Sequence, residues 1–357
     1  MAQSRYNPWL HRAALLTTGA TFPLIFMGGL VTSHQAGMSV PDWPNSYGYN
    51  MFLFPPRLWI GGILYEHTHR LMGAVVGLLA IVLTVLAWTT EDRRWIRWLC
   101  TGVLGMVIFQ GVLGGLRVVL VQLDLAIAHA CVAQAFFCLA ALCAVGTSKW
   151  WVDAPDCSHS NNRVAGKRLV VLASVCVGAV YLQLIVGATM RHYQAGLAIP
   201  DVPLAYGKLL PPTSDAALKT VNDVRAWQLQ MAPVTLAQVW LNFAHRVGAI
   251  VVSIFATALV IAVLRRHHRH GGLMRPAILV AILLQAQLAL GVLTIVLRKP
   301  ADIASSHVAV GALLLASCFV LCVRAMRLYA RTFRRVAPAL EGVRGESFRP
   351  VGKLVTA

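Results

Sequence analysis

A chain of 357 residues that is 58% apolar and only 12% charged is too hydrophobic for a water-soluble domain and reads as a polytopic membrane protein. Its 31 Lys and Arg against 13 Asp and Glu, a formal net charge of +18, raise the question of a nucleic-acid partner, which the placement of the charges excludes. The basic residues gather in alternate connections, as in Arg93/Arg94/Arg97, Arg265/Arg266/Arg269 and Arg324/Arg327/Arg331/Arg334/Arg335. That is the positive-inside bias, and it sets both termini in the cytoplasm, with attraction to anionic membrane lipid as a secondary consequence.

About 20 apolar residues are needed to cross ~30 Å of hydrocarbon. Runs of that kind near residues 13–33, 67–89, 98–117, 125–147, 169–190, 244–264, 276–297 and 303–323 predict eight spans. The first follows Arg5 and Arg12 in the manner of a signal peptide, but its counterpart is the fifth span, which lies inside the chain, so it is expected to stay. The counterpart is visible in the connection that follows. "SHQAGMSVPDWPNSYG" (33–48) returns as "HYQAGLAIPDVPLAYG" (192–207), matching Gln35, Ala36, Gly37, Pro41, Asp42, Pro44, Tyr47 and Gly48 with Gln194, Ala195, Gly196, Pro200, Asp201, Pro203, Tyr206 and Gly207.

The chain is therefore two copies of a four-span unit. Four is even, so both copies enter the membrane in the same direction. The predicted fold is an all-α integral membrane protein with eight transmembrane helices in two tandem pseudo-symmetric four-helix bundles. Residues 1–147 form the N-terminal bundle, 148–168 a cytoplasmic linker, 169–335 the C-terminal bundle and 336–357 a cytoplasmic tail. Helix-breaking Pro and Gly give the repeated loop a fixed path, and it is expected to lie as a lid over each bundle's outer end. The second copy carries an insertion, residues 213–234, for which a short interfacial helix is predicted. Seven of the eight cysteines fall in or at the edge of spans, no CxxC occurs, and they read as packing residues.

Ionisable side chains within spans mark function by default. His69, His129, His245 and His307 stand in the second, fourth, sixth and eighth spans, one or two turns from the outer surface. The pairs His69/His129 and His245/His307 have nearly equal separations, so each bundle places one imidazole on each of two helices running the same way. That arrangement suits a haem iron held by two histidines in a bundle core. His67 points to nearly the opposite helix face and aligns with Phe243, so His69 is the expected ligand. Arg70 and Arg246 follow the histidines of the second and sixth spans, Arg117 and Arg298 close the third and seventh at the same side, and all four are candidate partners for haem carboxylates. The copies disagree at Glu66, three residues before His69, where the second copy has Asn242. An acid in one copy and an amide in the other suggest chemistry in the first and a fixed cofactor in the second.

Together, the E-x-x-H motif at Glu66 to His69, the further histidines 129, 245 and 307, and eight spans in two halves resemble the haem A synthase family of cytochrome oxidase assembly enzymes, over nearly the whole chain. The resemblance implies that His245 and His307 bind a permanent haem b. It implies that His69 and His129 bind substrate haem O, and that Glu66 is the catalytic carboxylate close to the reacting methyl group, accepting or donating protons. The implied reaction oxidises the C8 methyl of haem O to the formyl of haem A by two successive hydroxylations and loss of water. It further implies haem O synthase as substrate donor and an electron donor whose identity the sequence leaves open, as it leaves a homo-oligomer open. A bacterial or a mitochondrial inner membrane would fit, and an N-terminus without an Arg-rich, Ser-rich presequence favours the bacterial one, with the haem sites near the outer face. Many members carry a cysteine pair in the first outer loop; here Ser39 and Ser46 stand at about those places, so thiol chemistry is not expected. The principal rival is a di-haem electron-transfer cytochrome, which needs no acid beside one iron; a transporter leaves the paired histidines unexplained.

Overall fold

The structure is a computed structural model that describes residues 6–155, 157 and 163–329. Eight long helices carry the fold, numbered α1 (Pro8–Ser33), α2 (Gly62–Thr90), α3 (Arg94–Val119), α4 (Leu123–Thr147), α5 (Arg163–His192), α6 (Leu236–Arg266), α7 (Gly271–Val296) and α8 (Ala301–Tyr329). All eight are long and apolar enough to cross a membrane. The shortest, with 25 residues, spans roughly 38 Å at the helical rise, so each reaches beyond the hydrocarbon core at its ends. The helix starts follow local chemistry. The Asn7 side chain caps α1 by accepting from Trp9 and Leu10 N–H, with Pro8 in the first turn, and Thr235 with Gln238 forms a reciprocal capping box on α6.

Helices α1 to α4 close into a ring, each packing on its sequence neighbour and α4 returning to α1; α5 to α8 do the same. The rings meet where α1 and α4 pack on α8, and α4 packs on α5. Consequently α8 is 67% buried over its most apolar stretch, against 17–39% for the others. Among lipids the association of helices rests on close packing, which small residues permit. Ile25 and Phe137 of the first ring pack there with Ala312 and Ala316 of the second. The cysteines behave as packing residues: Cys100 and Cys143 have sulfurs 3.9 Å apart, Cys176 and Cys318 3.8 Å, and both pairs are free thiols.

Both repeated loops lie at one end of the rings, hereafter the loop end. At the other end Arg93 pairs with Glu91 at 2.8 Å and Arg324 lies over Trp150. The expected helix in the second copy's insertion is Asp215–Trp227, capped by Ser214. Buried Arg225 donates to the carbonyls of Leu197, Ala198 and Ala232, tying the insertion to the second loop. Linker residues 156 and 158–162, the residues Arg331, Arg334 and Arg335, and the tail 336–357 lie outside the described residues.

Candidate functional site

The repeated sequence folds into the same hydrogen-bond lattice twice. In the first copy the Asp42 carboxylate accepts from Tyr47 and Gly48 N–H, both at 2.8 Å, and Tyr47 Oη donates to the Ser39 carbonyl. In the second, Asp201 accepts from Tyr206 and Gly207 N–H, and Tyr206 Oη donates to the Ala198 carbonyl. Tyr47 and Tyr206 take positive φ, as do Gly48 and Gly207, so the Asp cap holds a turn that the backbone alone disfavours. The burial of Asp42 opposes its charge, but the N–H groups of Gly48 and Tyr47 and the nearby Arg70 outweigh it and hold the carboxyl below its ordinary range.

Each loop is fastened to the helix below it by the arginine that follows the histidine. Arg70 donates to the carbonyls of Val40, Asp42 and Asn45; Arg246 donates to those of Ile199, Asp201 and Leu204. Both guanidinium groups are therefore committed to loop backbone. Glu66, 2% exposed, accepts from Val40 N–H at 2.9 Å and from Arg70 at 2.8 Å. Asn242 occupies the equivalent place with the opposite polarity: its amide donates to the carbonyls of Ala195 and Gly196 while its oxygen accepts from Arg246. The acid-to-amide difference thus matches a change in what each loop offers, N–H in one and C=O in the other.

Below the loops the structure brings the four histidines together in pairs. The rings of His69 and His129 have centroids 6.5 Å apart with planes at 83°; those of His245 and His307 are 6.4 Å apart at 69°. An imidazole nitrogen lies about 2 Å from a metal it ligates and the ring centre about 1 Å further back, so two rings on one ion stand roughly 6–6.5 Å apart. Nδ1 of His69, His129 and His307 is buried with no hydrogen-bond partner, although buried polar atoms are normally satisfied. Spacing and unpartnered nitrogens both fit a haem iron between each pair. His67 is 0% exposed, with Nδ1 at 3.2 Å from Ser46 Oγ and its ring against Phe54 and Trp59; it braces the loop and takes no part in a pair.

Sequence reasoning missed the groups that surround the rings. Each histidine lies against a glycine of the neighbouring helix: a Cβ on Gly28 would stand 3.0 Å from the Cε1 atom of His69, on Gly114 3.2 Å from that of His129, on Gly187 2.9 Å from that of His245, and on Gly291 3.2 Å from that of His307. Two of the four rings also have a glutamine beside them, and a third histidine has one at its backbone carbonyl. Gln110 donates to the His129 carbonyl, Gln287 lies 3.3 Å from His307 Nε2, and Gln183 lies 3.0 Å from His245 Nδ1 while donating to its carbonyl. His69 differs, since the repeat places Leu24 where the second copy has Gln183.

The remaining cations depart from the expected pattern. Arg117 of α3 turns inward and donates to the Gly37 carbonyl at 3.1 Å. Arg298, expected to match it, is exposed, because the register set by Gly114 and Gly291 puts Arg117 level with Thr294. Lys299 takes the equivalent position: its Cδ lies 3.5 Å from where a Cβ of Gly196 would be, as Arg117 lies against Gly37.

The profile of the COX15-CtaA family, described as cytochrome oxidase assembly protein, matches residues 62–319. The chain is 25% identical to a heme A synthase of Shewanella oneidensis over 86% of its own length and 93% of the relative's. It is 25% identical to the heme A synthase of Halalkalibacterium halodurans over 86% and 94%, and 26% identical to that of Caulobacter vibrioides over 86% and 92%. With a profile match over more than half its length, the chain belongs to the COX15-CtaA family of cytochrome oxidase assembly proteins.

Proposed function

We propose that this protein is a haem A synthase, oxidising the C8 methyl group of haem O to a formyl group. The observation that carries this reading is one pair of facing histidines in each copy with a buried carboxylate beside only one of them. The residues that fit haem b are His245 and His307, with Gln183 and Gln287 against them; those that fit the substrate are His69 and His129. A haem held by these histidines would carry the redox chemistry, with the oxidant itself coming from outside the chain. The chain's own groups position the macrocycle, cover its edge with a loop held by Asp42 and Arg70, and keep a proton acceptor, Glu66, fixed by Val40 and Arg70. The single glutamine missing from the set, at Leu24, falls beside His69, in keeping with a ligand that arrives and leaves. The family profile and the relatives' names support the activity; the basic clusters at the end away from the loops support an inner-membrane topology with both termini cytoplasmic and the histidine pairs toward the outer face. Haem O synthase, as the source of the substrate, is the partner this chemistry requires.

The test is Glu66→Gln, read by extraction and mass analysis of haems from membranes that also make haem O. Glutamine puts a donor beside either Val40 N–H or Arg70, and it cannot take up a proton. Product is expected to fall at least tenfold, with haem O or a hydroxylated form accumulating. Unchanged formyl haem removes Glu66 from the chemistry. Wild-type protein that makes none, yet carries two bis-histidine haems b, is an electron-transfer cytochrome.

A further inference from the structure

Arg70 meets Glu66 and Arg93 meets Glu91 at 2.8 Å, whereas Arg191 and Lys299 meet no carboxylate within 4.0 Å among the described residues. Arg191, in the last turn of α5, is half-buried where the two rings meet. Its Nη2 donates to Gly29 O and Ser33 Oγ of α1, both at 2.5 Å, and Ser33 Oγ lies 3.0 Å from Ser305 Oγ of α8. These are neutral acceptors, and a guanidinium inside a membrane protein is costly without an anion.

Lys299 joins it from the turn between α7 and α8. Arg298 and Lys299 are both at positive φ, 56° and 62°, in a region that non-glycine residues avoid. The first copy has only Val121 there, at 53°, so the second left-handed residue is an addition of the second copy. Its effect is to bring the lysine inward past Gly196, where Nζ finds Gln194 Oε1 at 3.5 Å. Burial and the neighbouring Arg191 hold the Lys299 ammonium below its ordinary pKa. Lys299 thus reaches Gln194, just past Arg191 in the chain, and among the described residues neither cation is paired with an acid. Strained backbone and uncompensated charge brought to one spot mark a binding site.

We propose that Arg191 and Lys299 are a clamp for the carboxylate groups of the porphyrin held by His245 and His307. Arginine pairs carboxylates bidentately, and a porphyrin's two carboxylates match two cations. The first copy has no such clamp: Thr32 stands where Arg191 does, Arg70 is neutralised by Glu66, and Arg117 alone remains. The clamp therefore separates a site that keeps its haem from one that exchanges it, an inference that rests on the functional reading above.

The experiment compares purified wild type with Arg191→Gln, Lys299→Gln, Arg191→Lys and the exposed control Lys219→Gln. The readouts are the rate at which haem b passes to excess apomyoglobin and the anionic phospholipid that copurifies. Loss of haem b is expected to be at least tenfold faster in both glutamine variants, intermediate in Arg191→Lys and unchanged in Lys219→Gln. Lys299→Gln leaves the contacts with Gly29 and Ser33 intact, so it reports on the clamp even if Arg191→Gln loosens the joint between the rings. Haem lost at the wild-type rate from Lys299→Gln overturns the proposal, and if bound anionic lipid falls instead, the cations serve a headgroup phosphate. Wild type without haem b at His245 and His307 overturns the functional reading, and the clamp with it.

Discussion

Replacing Gly187 by alanine puts the glycine contacts to a numerical test. The new Cβ would stand 2.9 Å from Cε1 of His245, whereas carbon atoms rest at about 3.5–4.0 Å, so the ring must retreat by roughly 0.6–1.1 Å. Metal–imidazole bonds tolerate only about 0.2 Å of error, and neither α5 nor α6 can shift without disturbing Gln183, which sits against His245 and Gly248. Overpacking of this kind costs about 1–3 kcal/mol, which corresponds to roughly 5- to 150-fold weaker haem retention. The control lies on the same helix: Gly178 has nothing within 4 Å of an added Cβ, and alanine is the better helix former by about 0.8–1.0 kcal/mol. Haem b content and transfer rate to apomyoglobin, measured on Gly187→Ala and Gly178→Ala in parallel, should fall in the first and hold in the second. Equal retention by both variants would falsify the idea that the glycine sets the ring's position.

Two further perturbations test the loops and the opposite end. A Cβ on Gly115 would run into the Trp43 ring, and the second copy has Val202 and Val292 at those places. Gly115→Val should destabilise the first loop, and Trp43→Val should rescue it in the double variant; a thermodynamic cycle on unfolding should show coupling of about 0.5–3 kcal/mol, and strict additivity sinks the pairing. At the far end His267, 2% exposed, has Nδ1 at 2.9 Å from Tyr329 Oη; burial, His270 and Arg266 lower its pKa. A histidine with a lowered folded pKa binds its proton more readily when unfolded, so its contribution is complete above about pH 6.5 and is lost as pH falls from there through the folded value. Thermal unfolding should therefore become easier on acidification, with a flatter dependence in His267→Gln. An unchanged slope in that variant removes His267 as its cause.

The eight spans, the doubled loop and the four histidines were legible because each leaves a periodic or repeated trace. The roles of the arginines were not, since a guanidinium at a helix end looks the same whether it meets a ligand or the backbone of its own chain. Only the loop path shows that Arg70 and Arg246 are engaged by carbonyls. Arg298 misled because sequence position alone suggested a match with Arg117, whereas the register of Gly114 with Gly291 assigns that role to Lys299. The same register would have exposed the four glycines, whose contact with the rings is a property of helix spacing. Glu66 was recognisable as a difference between copies, but its partners Val40 and Arg70 depend on how the loop turns back over α2.

The burial of α8 has a consequence for how the protein is made. Ser33 meets Ser305 across 272 residues of sequence, an interval that takes on the order of tens of seconds to synthesise. From the moment α4 joins α1 until α8 is made, their shared face, with Ile25 and Phe137, has only lipid to meet. The nascent N-terminal half must persist as an open assembly in the bilayer until α8 arrives, which makes it a natural client for whatever holds partly built membrane proteins at the site of insertion.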